Sequence, residues 1–168
     1  MHSNSKKPIV ADLSAILEGL IKAEVQFILV GGLAAVVQGA PVTTLDVDIV
    51  HNRTSENLDK LFNFLKSIDA IYRRPDDEII SPNKDDVSGP GHALFTTRLG
   101  PLDVLGVIEE GKAFEDLIEH TVEIEFRGRL IRVLKLETLI ELKKTSKNPK
   151  HKQQLSVLEE TLRQLAGE

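Results

Sequence analysis

The sequence predicts an α/β (α+β) fold, a mixed twisted sheet flanked by helices and followed by C-terminal helices. Apolar residues recur at helical spacing in several segments, and short apolar or alternating runs bounded by glycine and proline lie between them. Hydrophobic residues make up 41% of the 168 residues, which is enough for one well-buried core. We therefore expect a single domain over 1–168, with a polar tail at 1–8 and a C-terminal helical segment at 135–168.

The first half of the chain is predicted to alternate between helix and strand. Its elements are an amphipathic helix over 13–24, a buried strand over 25–30, a short helix over 33–38, a strand over 43–50 and a helix that begins near Thr54 or Ser55 as its cap. Gly31 and Gly32 break the chain between the first strand and the short helix that follows it.

The second half is predicted to contain a long loop, further strands and two helices. Residues 74–91 carry three prolines and two glycines and predict the loop, with a short edge strand at 78–81. The later elements are strands at 92–98 and 102–107 joined by a tight turn, a hairpin of 122–126 with 131–133, and helices over 136–142 and 155–165 separated by a break at Asn148 and Pro149.

Composition excludes several classes of function. The chain has no cysteine, so it has neither a disulfide framework, a thiolate metal site nor a cysteine nucleophile. Its five histidines show no zinc-ligand spacing. The net charge of -5 opposes general nucleic-acid binding, so an RNA partner would need a local basic patch. Because neither a membrane-length apolar window nor a signal peptide is visible, we expect a cytoplasmic protein without a membrane partner.

The candidate chemistry begins with an acidic pair. Asp46 and Asp48 lie two positions apart in TTLDVDIV, so strand alternation places both carboxylates on one face. Adjacent like charges are costly unless a cation lies between them, and a hard divalent ion such as Mg²⁺ prefers carboxylate oxygens. Alternatively, both acids face water. Upstream, Gly31 and Gly32 let an anion approach backbone N–H groups, or they serve only the geometry of a helix start.

These segments resemble the nucleotidyltransferase superfamily, which includes DNA polymerase beta, minimal nucleotidyltransferases and abortive-infection toxin-type nucleotidyltransferases. The matching text is FILVGGLAAVVQGAPVTTLDVDIV, with a strand, a Gly-Gly pair, a short helix and Asp-x-Asp. The superfamily has a third acid on a later strand, and LGPLDVLG supplies Asp103. The resemblance covers about 27–106 well and the helical C-terminus more loosely.

The resemblance implies transfer of a nucleoside monophosphate from a nucleoside triphosphate to an acceptor hydroxyl. Asp46, Asp48 and Asp103 would then be both catalytic residues and ligands of Mg²⁺ or Mn²⁺, and Asp103 would help to deprotonate the acceptor. Two ions held in this way stabilise the attacking and the leaving oxygens.

The resemblance also implies a set of phosphate contacts. Gly31 and Gly32 would receive the β and γ phosphates, and the hydroxyl of Thr43 or Thr44 would assist them. Strand propensity is the alternative explanation for either threonine.

Two lysines are further candidates for the site, and two positions depart from the pattern of the superfamily. Lys143 and Lys152, within the one concentrated basic stretch, are candidate nucleotide ligands, although a lysine run near a helix break is also typical of a solvated surface. Val42 stands where toxin-type relatives often carry an arginine, and Gln153 stands where they carry an acid.

Three functional hypotheses follow. The first is a metal-dependent nucleotidyltransferase, with a role as the toxin half of a toxin–antitoxin pair that acts on RNA or protein. The second is a nucleotide-binding module of the same fold without turnover, which Val42 and Gln153 favour. The third is a protein that uses its acidic face only to bind a partner.

Overall fold

The structure, a computed structural model, describes residues 11–167, so the tail predicted at 1–8 lies outside the described residues. The helices are α1 (Leu13–Lys22), α2 (Gly31–Val37), α3 (Ser55–Ser67), α4 (Phe114–Leu117), α5 (Leu136–Thr145) and α6 (Pro149–Leu165). The strands are β1 (Phe27–Val30), β2 (Val47–His51), β3 (Ile71–Tyr72), β4 (His92–Thr97), β5 (Gly100–Leu105), β6 (Val107–Ile108), β7 (Lys112–Ala113), β8 (Thr121–Phe126) and β9 (Arg129–Leu134).

Seven of the strands form one mixed sheet in the order β3-β4-β5-β2-β1-β9-β8. The pairs β2/β5 and β1/β9 are parallel, and the remaining neighbours are antiparallel. Strands β6 and β7 form a separate small hairpin. The predicted mixed sheet with flanking and C-terminal helices is therefore confirmed.

The core lies where the helices cover the central strands. All four residues of β1 are buried, whereas β4 alternates between exposed and buried positions. Helix α1 packs against β2, β5 and α3. A Cβ atom at Gly19 would lie 2.4 Å from Cε1 of Phe64, so a larger residue there would force the Phe64 ring to move where α1 approaches α3. Helix α2 packs against β1 and β2, and α5 packs against α2 and α6.

The segment around the glycine pair differs from its prediction. Helix α2 begins at Gly31 itself, directly after β1, whereas the sequence predicted a two-glycine break before a helix at residue 33. Gly31 has a φ of 71°, a left-handed conformation that favours glycine, and it redirects the chain within a single residue.

Strand β2 begins later than predicted. It starts at Val47, so Asp46 precedes the strand instead of lying within it. Strand β1 ends at Val30, which pairs with Asp48, and therefore offers no ladder partner to the residues before Val47. The hydroxyl of Thr44 also donates a hydrogen bond to the carbonyl oxygen of Asp46, at 3.2 Å, which favours a turn there.

The long loop contains a 3₁₀ helix, and the edge strand predicted at 78–81 was wrong. The backbone N–H of Tyr72 donates a hydrogen bond to the carbonyl of Ile80 at 2.9 Å, but residues 78–81 form no strand, and the sheet ends on this side at β3, before the loop. The 3₁₀ helix, Lys84–Val87, forms because Asn83 and Asp86 cap it reciprocally. The strand predicted at 102–107 ends at Leu105, and Val107 belongs to the separate strand β6. Strand β7 and helix α4 lie in a segment for which the sequence predicted no element.

A buried histidine anchors this loop to the sheet. His51 is 1% exposed, its Nε2 donates a hydrogen bond to the carbonyl of Val87 at 2.6 Å, and its Nδ1 has no partner among residues 11–167. Burial lowers the pKa of His51 below its ordinary value. Folding therefore disfavours the protonated imidazole relative to the unfolded chain.

This burial makes stability depend on pH. Because the unfolded chain protonates His51 near its ordinary pKa and the folded chain does so only at lower pH, the free energy of unfolding should fall as the solution is acidified through that range. We expect His51→Gln, which keeps a donor for Val87, to flatten the difference between about pH 7.5 and about pH 5.5 in urea titrations. Equal pH slopes for the two proteins would contradict this prediction.

Among the described residues, 11–167, no helix combines the length and the apolar composition that a membrane crossing requires.

Candidate active site

Three aspartates converge at the N-terminal end of β2, where the chain arrives from α2. Asp48 on β2 and Asp103 on β5 are register partners in a parallel strand pair, which places their side chains next to each other on one face of the sheet. Asp46 approaches from the turn before β2. Each of the three offers a carboxylate oxygen, and these oxygens all lie within 4.8 Å of one another.

The cluster carries more negative charge than its surroundings compensate. Burial raises the pKa of Asp48 to about 8, and a hydrogen bond with Asp103 and the charge of Asp46 add to this increase. Burial also raises the pKa of Asp46, and the negative charge of Asp103 contributes. Closely spaced carboxylate oxygens with unfavourable ionisation are the ligands that a hard divalent cation stabilises. The residues present therefore fit Mg²⁺ or Mn²⁺.

Gly31 leaves the space that Asp48 occupies. A Cβ atom at Gly31 would lie 2.1 Å from Oδ2 of Asp48 and 2.9 Å from its Cγ, so any other residue would collide with the carboxylate. At Gly32 a Cβ atom would lie 3.0 Å from Oγ1 of Thr44, which is tight but less severe. Because Gly31 and Gly32 have no side chains, the start of α2 can pack closely against Asp48 and Thr44.

A cleft of about 610 Å³ opens beside this cluster. The sheet lines one side, and α5 with the α5–α6 junction lines the other. Apolar side chains cover much of its wall: Leu94, Leu105, Ile108, Leu139 and Leu142. Its polar lining consists of Asp48, His92, Asp103, Glu109, Lys143, Asn148 and His151. This volume is within the usual range of roughly 300–1,000 Å³ for small-molecule sites.

Lys143 reaches this cleft from α5. Its side chain is largely buried, with the residue 8% exposed, and Nζ donates a hydrogen bond to Oε1 of Gln154 at 3.4 Å. Burial lowers the pKa of Lys143, while the negative charges of Glu109 and Asp48 oppose that shift. A buried ammonium that senses Asp48 across the cleft is placed to attract an anion bound between them.

Arg73 is a contact of the cluster that the sequence did not reveal. Its Nη2 donates a hydrogen bond to Oδ1 of Asp103 at 2.8 Å and another to the carbonyl of Phe95 at 2.7 Å. Arg73 follows the short edge strand β3, 30 positions before Asp103 in the chain. No local motif marks it, because its position depends on the strand order β3-β4-β5.

Comparison with solved structures identifies the architecture. The lincosamide antibiotic adenylyltransferase LnuA, bound to lincomycin, is 14% identical with a TM-score of 0.58, over 90% of this chain and 98% of that one. A Thermotoga maritima protein assigned as a nucleotidyltransferase is 20% identical, with a TM-score of 0.51 over 92% and 90% of the two chains. ANT(2'')-Ia, in complex with adenylyl-2''-tobramycin, is 16% identical, with a TM-score of 0.53 over 88% and 85%.

The chain has the nucleotidyltransferase fold. No protein-family model matches the sequence, and no curated protein matches it either. The likeness to the solved structures therefore concerns the arrangement of helices and strands, and the chemistry of this chain has to be inferred from its own residues.

The other residues predicted to contact the nucleotide, two threonines and a lysine, differ in how near they lie to the cleft. Thr44 is half-buried and holds the carbonyl of Asp46 through its hydroxyl, whereas Thr43 is exposed. Neither threonine lies in a strand, so strand propensity does not explain them. Lys152 is exposed on α6 and is not among the residues that line the cleft.

Three further polar residues line the cleft without having been predicted as site residues: Glu109, Asn148 and His151. His151 Nδ1 lies 2.8 Å from Oγ of Ser146 and 3.8 Å from Oε1 of Glu109. Burial, followed by the charge of Lys143, lowers the pKa of His151. The break at Asn148 and Pro149 was the one sequence signal for this group, because a helix junction exposes polar groups.

His92 has a structural role in the wall of the cleft. Its Nε2 lies 2.7 Å from the carbonyl oxygen of Val107 and links β4 to the β6–β7 hairpin. The ring therefore braces the cleft wall.

Proposed function

We propose that this protein is a metal-dependent nucleotidyltransferase, which transfers a nucleoside monophosphate from a nucleoside triphosphate to an acceptor hydroxyl. The observation that carries the proposal is the convergence of Asp46, Asp48 and Asp103, whose carboxylate oxygens lie within 4.8 Å of one another beside a cleft that Gly31, Asp48 and Asp103 line. The nucleotidyltransferase fold supports it.

In the proposed site, Asp46, Asp48 and Asp103 hold Mg²⁺ or Mn²⁺. The bound ion supplies electrostatic stabilisation of the phosphate oxygens. Gly31 and Gly32 present backbone N–H groups to the β and γ phosphates, and the ammonium of Lys143 offsets the charge of the triphosphate.

The proposed reaction forms a bond between the acceptor oxygen and the α phosphorus. The bond from that phosphorus to the bridging oxygen of the β phosphate breaks, and pyrophosphate leaves with the electron pair. We propose that the acceptor hydroxyl passes its proton to the carboxylate of Asp103, because that carboxylate lies in the cleft.

The cleft favours a small acceptor. Its volume of about 610 Å³ and its apolar wall suit a hydroxylated organic molecule as the acceptor better than an RNA chain. Two of the similar structures are described as an antibiotic adenylyltransferase bound to lincomycin and as a complex with an adenylylated tobramycin. We therefore propose a small hydroxylated acceptor, with RNA or protein acceptors and an antitoxin partner as the alternative within the same activity. We also propose that the protein acts in the cytoplasm, as the sequence led us to expect.

A nucleotide-transfer assay tests the proposal. We expect the wild-type protein to release pyrophosphate from one of the four ribonucleoside triphosphates in the presence of Mg²⁺ or Mn²⁺ and a panel of hydroxylated acceptors. Asp46→Asn should lower the rate by at least about 100-fold, because it removes a charged ligand of the cluster. The matched control is Asp59→Asn, which changes an exposed aspartate paired with Lys84.

The assay also separates the alternatives. If the protein binds a triphosphate but forms no product with any acceptor and either metal, the result would favour the hypothesis of a nucleotide-binding module over that of an enzyme. Equal rates for wild type, Asp46→Asn and Asp59→Asn would reject the role of the acidic cluster.

A further inference from the structure

We propose that Arg73 is the positioning residue of the acidic cluster, and that its guanidinium fixes the carboxylate of Asp103 in the orientation that a divalent cation requires. This inference rests on the proposed function. The inference goes beyond that function because it gives a role in metal binding to a residue outside the three aspartates, one to which the proposed reaction assigns no contact with ligand or substrate.

Arg73 is anchored to β4 at both of its ends. Its backbone N–H donates a hydrogen bond to the carbonyl of Leu94 at 2.9 Å, and its Nη2 donates one to the carbonyl of Phe95 at 2.7 Å. An arginine held at its backbone and at its guanidinium retains little rotamer freedom. The conformational entropy of its long side chain is therefore lost when the sheet forms and not when a cation binds.

From this anchor, the side chain crosses β4 to reach β5. Leu94 on β4 and Asp103 on β5 are register partners, and Nη2 of Arg73 donates a hydrogen bond to Oδ1 of Asp103 at 2.8 Å. That hydrogen bond restrains the rotation of the carboxylate and engages one of its two oxygens. The Oδ2 atom does not take part in it.

The contact differs from a surface ion pair. Arg73 and Arg74 are similarly exposed, at 35% and 36%, but the Asp103 side chain is 14% exposed whereas that of Asp76, the partner of Arg74, is 49% exposed. Exposed pairs contribute little, while a charge-assisted bond to a shielded carboxylate restrains it effectively. Arg74 is therefore a natural control, because it is adjacent in sequence and touches none of the three aspartates.

Two effects of Arg73 on a bound cation have opposite signs. Its positive charge repels a divalent ion, so removal of the charge alone would strengthen metal binding. Its hydrogen bond orients a ligand, so loss of that bond would weaken metal binding. Partners that orient metal ligands typically change affinity or activity by roughly 10–100-fold, and a partly exposed charge is screened by solvent, so orientation should dominate.

The test measures Mn²⁺ binding without nucleotide, by the loss of the free-Mn²⁺ signal in electron paramagnetic resonance. We expect Arg73→Met to raise the Kd for Mn²⁺ about 10-fold or more relative to wild type. Arg73→Lys, which keeps a cationic donor, should fall between the two, and Arg74→Met should match wild type. Unfolding midpoints in urea identify any variant that is not folded, and in that case the Arg73→Lys result decides.

An unchanged or lower Kd in Arg73→Met would overturn the positioning role, since it would leave only charge repulsion. Asp48→Asn distinguishes this failure from a failure of the proposed function. If Asp48→Asn loses Mn²⁺ binding and Arg73→Met does not, only the inference about Arg73 fails. If wild type binds Mn²⁺ no better than Asp48→Asn does, the metal site and the role of Arg73 fail together.

Discussion

Asp48→Asn is expected to abolish nucleotidyl transfer and to make the metal-free protein more stable. Activity should fall by at least about 10³-fold, because metal stabilisation of the transferring phosphate amounts to several kcal/mol and each 1.36 kcal/mol is tenfold in rate. Stability should rise because the change removes a carboxyl group whose ionisation is unfavourable in the folded protein.

The sign of the stability effect follows from the pKa of Asp48. That pKa is about 8 in the folded protein against an ordinary value of 3.8, because burial and the neighbouring acids disfavour the charged form. Between these values the folded chain holds a proton that the unfolded chain has released. The free energy of unfolding therefore declines as pH rises from the ordinary pKa towards the folded one.

Asparagine is neutral at every pH, so Asp48→Asn should avoid this decline. In EDTA near pH 8, we expect the variant to be more stable than wild type by roughly 1–3 kcal/mol, a Tm higher by several degrees for a domain of this size. Added Mg²⁺ or Mn²⁺ should raise the Tm of wild type and leave that of the variant unchanged.

Thermal unfolding in EDTA and in metal, combined with initial rates, checks both parts. Asp59→Asn is the control for loss of an exposed carboxylate and should alter neither the rate nor the pH profile of stability. A lower Tm for Asp48→Asn in EDTA would contradict the electrostatic account, even if activity were lost.

Gly31→Ala should disrupt the same site by collision. The new methyl group would lie 2.1 Å from Oδ2 of Asp48, and the backbone there has a φ of 71°. We expect the change to cost about 2–4 kcal/mol, the sum of left-handed strain and overpacking, and to reduce transfer by at least about 100-fold because Asp48 must move.

Gly128→Ala is the matched control for this prediction. Gly128 has a φ of 81° in the β8–β9 turn, and a Cβ atom there would meet nothing within 4 Å. It should therefore show the backbone strain alone, with activity retained. Urea unfolding of both variants isolates the steric part of the Gly31→Ala effect.

A double-mutant cycle sharpens the assignment to Asp48. In an Asp48→Ala background the Oδ2 and Cγ atoms are gone, and Cβ of residue 48 lies 3.0 Å from where the new methyl group would be. Gly31→Ala should then cost less than it does in wild type. An identical cost in both backgrounds would show that the strain of the backbone, and not the carboxylate, requires glycine.

The acidic cluster shows how far local pattern reaches. Asp-x-Asp after a buried strand and a glycine pair predicted a shared site for Asp46 and Asp48, although Asp46 lies before the strand. The resemblance added Asp103, and the parallel register of β2 and β5 sets it beside Asp48. Spacing along one strand is visible in the sequence, whereas a register between strands more than 50 residues apart is not.

Arg73 and the cleft lay beyond that reach. Arg73 meets Asp103 only because β3, β4 and β5 are neighbours in the sheet, and no periodicity encodes that order. Lys143 was predicted within a lysine run, but its burial in the cleft follows from the packing of α5 against α2 and α6. Lys152, drawn from the same run, faces solvent on α6.

By itself, the sequence determined the alternation of helices and strands, the change of direction at the glycine pair after β1 and the pairing of two acids, because these depend on residue types a few positions apart. Only the tertiary structure decided that Asp103 joins them, that Gly31 makes room for Asp48 and that Arg73 holds the third carboxylate. Those contacts depend on strand order and register, which are set by the packing of the whole sheet.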